Sequence, residues 1–83
     1  MRINVKTAGI LGKYLPPGSH GNAAALDIAS DATPLDVIKL LGLPLGDRYL
    51  IALNGAVVPS AERGERRLVE NDDLAIMPPL KGG

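Results

Sequence analysis

The sequence predicts an α+β domain in which one main helix packs on one face of a mixed sheet of four or five strands. Three observations carry that expectation. Extended segments with alternating or apolar character open and close the chain, at residues 2–6 and 74–77. One short apolar segment, Pro34 to Leu41, has helix-start residues before it and a glycine after it. An Asn54-Gly55 pair sits between two further extended segments. The chain has 83 residues, so it is one small domain near the lower limit for an unaided core. It has two tyrosines and no Phe or Trp. The core must therefore come from Ile, Leu, Val and Ala.

The elements follow in order. In Arg2-Ile3-Asn4-Val5-Lys6, Ile3 and Val5 share one face and the polar residues the other, which is a half-buried strand. Residues 7–22 hold four glycines and Pro16-Pro17, and read as a long loop with at most a helical turn around Ile10 to Tyr14. A second strand is expected over 23–29, with Ala24, Leu26 and Ile28 on one face, antiparallel to the first. Thr33 is placed as N-cap, Pro34 as the first helical residue and Asp36 in the first turn. Leu35, Val37, Ile38, Leu40 and Leu41 give the helix a broad apolar face. Gly42 ends it and Pro44 prevents its resumption. Tyr49 to Leu53 is a third strand. Asn54-Gly55 is a strong hairpin signal, and Ala56 to Val58 is the returning strand. Residues 60–67 mix Glu and Arg and read as a solvated loop. Asn71-Asp72-Asp73 is a turn and Leu74 to Met77 the last strand. The apolar character of the first and last strands fits a parallel pairing in the middle of the sheet.

Composition narrows the function classes. Nine basic and nine acidic residues cancel, which argues against a nucleic-acid or membrane-surface binder. There is no Cys and one His, His20, so thiolate or multi-His metal sites and Cys nucleophiles are excluded. His20 reads as a solvated loop residue. No signal-peptide pattern or membrane-length apolar run is present, and a cytoplasmic location is expected. Asp27, Asp31 and Asp36 cluster around the helix entry, where capping and solvent exposure explain them. No glycine-rich phosphate loop joins a strand to a helix.

Chemistry is expected at the end of the chain and on the face beside it. Pro78 and Pro79 restrict the backbone to extended forms and would project residues 80–83 away from a domain of residues 1–79. Gly82 and Gly83 carry no side chains, so they can thread a narrow channel and bring a carboxylate close to another protein's atoms. On the last strand Leu74 and Ile76 fit the core, leaving Ala75 and Met77 outward. On the third strand Leu50 and Ala52 are left outward. An apolar patch is therefore expected beside the tail, a feature of docking surfaces.

The ending Asp72-Asp73-Leu74-Ala75-Ile76-Met77-Pro78-Pro79-Leu80-Lys81-Gly82-Gly83 resembles the family of the molybdopterin synthase small subunit (MoaD) and the thiamine sulfur carrier (ThiS). Leu53-Asn54-Gly55-Ala56-Val57-Val58-Pro59 is similar to that family's middle hairpin, and the opening Met1 to Thr7 is similar to ubiquitin. The chain departs from the family in Ile76 and Met77, where aromatics are common, and in Lys81, where a small residue is usual. The resemblance implies a ubiquitin-like β-grasp fold and a carrier rather than an enzyme. It implies that Gly83 is adenylated by an ATP-dependent, ubiquitin-activating-type adenylyltransferase and converted to a thiocarboxylate. ATP belongs to that partner; the carrier is expected to hold no cofactor or metal of its own. The sulfur acceptor would be a molybdopterin synthase large subunit or its equivalent. Leu50, Ala52, Ala75, Met77, Pro78, Pro79, Leu80 and Lys81 would face the partners. A thiamine-type carrier, a modifier joined to lysines through the same Gly82-Gly83 end, and a plain interaction module remain open alternatives.

Overall fold

The structure is a computed structural model that describes residues 1–8, 11, 14–15, 22–43 and 49–78. Its strands are β1 (Arg2–Thr7), β2 (Ala23–Asp27), β3 (Leu50–Leu53), β4 (Ala56–Val57) and β5 (Asp73–Met77), with one α-helix, α1 (Pro34–Leu41), between β2 and β3. The strands form a single mixed sheet in the order β2-β1-β5-β3-β4. This is the expected α+β arrangement, with β5 in the central position. β5 pairs parallel with β1, Val5 opposite Leu74 and Thr7 opposite Ile76. It pairs antiparallel with β3, Ile51 opposite Ile76 and Leu53 opposite Leu74. β2 pairs antiparallel with β1.

Alternation on β1, β3 and β5 sends Ile3, Val5, Ile51, Leu53, Leu74 and Ile76 to one side, where all are buried. Each fully buried side chain of this kind contributes about 1.5–3 kcal/mol by leaving water. Val37 and Ile38 of α1 join the same core. The helix begins as its sequence dictates. The Thr33 side chain accepts from the Asp36 backbone N–H, and the Asp36 carboxylate accepts from the Thr33 N–H at 2.9 Å, a reciprocal capping box. Gly42 ends the helix at φ 78°, a left-handed position where a side chain would be strained.

Several details differ from expectation. β2 stops at Asp27, so Ile28 lies outside the strand, although it still packs against the core half-buried. β3 starts at Leu50, with buried Tyr49 just before it, and β4 ends at Val57, with Val58 buried beyond it. Leu40 is 60% exposed rather than part of the helix's inner face. An eight-residue helix on a small sheet buries one narrow stripe, and Val37 and Ile38 fill it. Leu11 and Leu15, in the glycine-rich stretch read as loop, are buried core residues. Residues 60–67 are mostly exposed, as expected, but contain one 3-10 turn at Ser60–Glu62. Arg63 Nη2 then donates to the Tyr49 carbonyl oxygen. The Leu35 N–H donates to the Arg63 carbonyl, and the Leu68 N–H to that of Ala32, tying this segment to the helix entry. Buried Leu68 anchors it. His20 and residues 79–83, including the proposed tail, lie outside the described residues.

Truncation at the sheet centre should separate the two classes of apolar residue. Ile51→Ala should lower unfolding stability by about 2–5 kcal/mol in urea titration. Leu40→Ala should change it by less than about 0.5 kcal/mol, as expected for an exposed site.

Candidate functional site

The alternation that fills the core leaves a second, outward set of residues. Cross-strand pairing places these in rows. One row runs Ala23, Lys6, Ala75, Ala52, Val57 across all five strands. Beside it Met77 stands opposite Leu50. On the other side Ala25, Asn4 and Asp73 form a more polar row, and Arg2 lies opposite Asp27. The outer face is thus graded. It is apolar over β3, β4 and the end of β5, and polar toward the start of β1.

Exposure follows that grading. Leu50 is 49% and Val57 62% exposed, large values for branched apolar side chains. Ala52, Ala75, Met77 and Pro78 are half-buried. The four residues expected on the patch, Leu50, Ala52, Ala75 and Met77, therefore share one face and adjoin one another. Among the described residues of the 7–22 stretch, Leu11 and Leu15 turn to the core on the opposite side of the sheet. Pro78 follows directly at the end of β5. Pro79, Leu80, Lys81, Gly82 and Gly83 lie outside the described residues. Lys6 and Val57 are additions to the expected set. The signal for Lys6 was present in the sequence, since its alternation opposes Ile3 and Val5 and its strand was expected beside the last one.

A hydrogen-bond knot holds β5 in register. Asn54 and Gly55 both have positive φ, 51° and 86°, the pattern of a tight hairpin turn. The Asn54 N–H donates to the Asp73 carbonyl at 2.8 Å. Its side-chain Oδ1 accepts from the Asp73 N–H at 2.9 Å, and its Nδ2 donates to Asp72 Oδ1 at 2.9 Å. The buried Asp72 carboxylate also accepts from the Val69 N–H at 2.8 Å. One asparagine thus ties the β3–β4 hairpin to the entry of β5, which fixes Leu50 against Met77 at the other end. Next to this knot is a shallow concavity of about 240 Å³, with Ala52 and Ala75 among its lining residues and Lys6, Asn54 and Asp73 around it.

At the polar end, Arg2 Nε donates to Asp27 Oδ1 at 3.1 Å. That hydrogen bond, reinforced by the Arg2 charge, holds the Asp27 carboxyl below the usual carboxylate range. Such a shift supports the fold above the ordinary carboxyl pKa, and the support is lost as pH falls through the lowered value. Both partners are well exposed, so solvent screens most of it. Asp36 is engaged in the helix cap and Asp31 is exposed. The acidic cluster at the helix entry is thus accounted for by pairing, capping and solvent, as the sequence implied. Among the described residues, no group of three His, Cys, Asp or Glu side chains is placed to hold a metal ion. No described helix is long and apolar enough to cross a membrane.

The family model described as "ThiS family" matches residues 19–83. No curated protein matches the sequence. Among solved structures, SAMP1 from Haloferax volcanii is 25% identical, with a TM-score of 0.70 and full coverage of both chains. The small archaeal modifier protein 1 of H. volcanii aligns at 22% identity and TM-score 0.70 over 95% of this chain and 98% of the other. A chain from the complex of subunits 1 and 2 of molybdopterin-converting factor from Helicobacter pylori aligns at 20% identity and TM-score 0.62, with full coverage of both. These likenesses agree on the β-grasp, ubiquitin-like fold.

A charge in the apolar patch beside Leu50 tests whether it docks a partner. Met77→Asp should weaken binding to a purified adenylyltransferase by about tenfold, because the carboxylate would be desolvated without a partner. Circular dichroism and the urea midpoint should stay close to those of the parent chain. Unchanged binding would remove Met77 from the docking face.

Proposed function

The chain belongs to the ThiS family, and on that premise we propose that it is a sulfur carrier whose reacting group is the Gly83 carboxylate. The observation that carries this reading is the family match itself. It runs through Gly82 and Gly83, and it joins them to a strand at the centre of a β-grasp sheet. An ionised carboxylate is a poor electrophile and must be activated. One of its oxygens attacks the α-phosphorus of ATP on the adenylyltransferase, pyrophosphate leaves, and an acyl-adenylate forms. Sulfur at the sulfide level then attacks the acyl carbon and AMP leaves, giving the thiocarboxylate. The carrier supplies the terminus, its reach and the docking face. The partners supply the nucleotide site and the sulfur.

We further propose a molybdopterin-type acceptor, in which the sulfur passes to a pterin precursor in a large synthase subunit. Pro78-Pro79 supports this, and the fold is compatible with it. A lysine-directed modifier is the second reading, favoured by the 25% identity to SAMP1. Both readings use the same activated Gly83. Ladders of conjugates on blots against the chain would favour the modifier. A thiamine-type acceptor is compatible with the family match as well.

The terminus is tested by moving it. Deleting Gly83 shifts the carboxylate by about 3.5 Å of extended chain and should abolish ATP–pyrophosphate exchange with the cognate adenylyltransferase. Gly82→Val keeps the carboxylate but forces a β-branched side chain into the channel, and should cause a severe loss. Thermal stability should barely change in either. Full exchange by both variants would leave Gly82-Gly83 without a chemical role.

A further inference from the structure

The outer face carries one feature that apolar docking does not use. Lys6 stands in the row Ala23, Lys6, Ala75, Ala52, Val57, flanked on both neighbouring strands by alanine. It is exposed. Among the described residues it takes part in no ion pair or side-chain hydrogen bond. The nearest acidic residue on its face is Asp73, one row away, which accepts from Asn4 Nδ2 at 3.1 Å. Arg2, the other cation of β1 on this face, is neutralised by Asp27. Among the described residues of the sheet face, the unpaired positive charge is therefore at Lys6. It lies on the rim of the concavity that Ala52 and Ala75 help to line, beside the strand that leads into Pro78.

We propose that Lys6 is a specificity-determining residue for the enzyme that activates the tail. That enzyme is inferred to present a large apolar side chain to the concavity over Ala52 and Ala75, with a carboxylate on the Lys6 side, away from Asp73, that pairs with the Lys6 ammonium. The inference rests on the carrier reading above. Three features of the face argue for such an occupant. Alanines leave room for a foreign side chain, where larger residues would fill the space themselves. An ammonium flanked in its row by Ala23 and Ala75 gains from a partner carboxylate once the contact excludes water. The concavity lies along Asp73 to Ala75 and the chain leaves the same strand about 10 Å further on, at Pro78, so a partner that covers this outer face spans both. A rim charge of this kind acts mainly on encounter and on the rejection of wrong partners, with little effect on the chemical step.

The test uses the full chain with the adenylyltransferase of the same organism, assayed by ATP–pyrophosphate exchange at low and high salt. Lys6→Glu should raise the KM for the carrier by about tenfold or more at low salt while kcat stays within about twofold, because like charges then meet. Lys6→Gln should lie between Lys6→Glu and the parent chain and should lose most of the salt dependence of KM. Lys6→Arg should restore the parent KM. Ala75→Leu, which fills the concavity, should raise KM without abolishing folding, as checked by circular dichroism. A KM unmoved in Lys6→Glu, with normal exchange by the parent chain, would overturn the Lys6 assignment alone. Absence of exchange by the parent chain would overturn the carrier reading on which it rests.

Discussion

The parallel pairing of β1 with β5 is the constraint from which the rest of the structure follows. Parallel neighbours cannot be joined by a hairpin, so everything between Thr7 and Asp73 acts as crossover and must return the chain to the sheet centre. That return is what gives α1 a sheet to cover. An isolated eight-residue helix would not persist in water, and capping alone does not change that. Central placement also gives β5 hydrogen-bonded neighbours on both sides, β1 and β3. Leu74 and Ile76 are consequently fully buried. The chain therefore leaves the sheet at Pro78 from a strand held on both sides.

The same pairing separates stability from recognition. Every side chain of β5 that points inward meets the aliphatic core, and every one that points outward, other than Asp73, is small or flexible. Asn54 sets the register between the two halves by bonding to both Asp72 and Asp73. A slip of one residue would exchange Leu74 and Ile76 with Ala75 and Met77. It would expose the core residues and bury the outer apolar patch in a single step. Anchoring of the strand and presentation of the patch are thus one requirement.

Much of this was legible in the sequence because it is local. Period-two alternation in residues 2–6 and 74–77 identified the two central strands and their buried faces. The Thr33-Pro34-Leu35-Asp36 start and Gly42 stop bracketed the helix, since capping depends on residues three apart. Asn54-Gly55 marked the hairpin through its positive-φ requirement. What was not legible depended on tertiary placement. Leu11 and Leu15 sit among glycines and prolines, and their four-residue spacing is too short a pattern to show that they reach the core. Leu40 is apolar and helical, yet it sits off the stripe of Pro34, Val37 and Ile38 that meets the core. Arg63 reaches the Tyr49 carbonyl, a contact no motif announces. At the site, alternation gave Leu50, Ala52, Ala75 and Met77. Lys6 was legible by the same alternation, opposite Ile3 and Val5, whereas Val57 joined the set only when the strand order put it in one row with Ala52 and Ala75.

The central claim is chemical: an anchored β-grasp domain carries a Gly83 carboxylate that becomes a thiocarboxylate. The most direct measurement is the intact mass of the chain isolated from its own cells, combined with a thiol-selective label. Replacing the terminal oxygen by sulfur adds about 16 Da, and because methionine oxidation adds nearly the same, the label decides between them. A sulfur carrier should yield a heavier species that takes up one label, located by fragmentation at Gly83 and absent from the Gly83 deletion. A chain that never gains the mass and label, even when supplied with its adenylyltransferase, ATP and a sulfur donor, would contradict that claim.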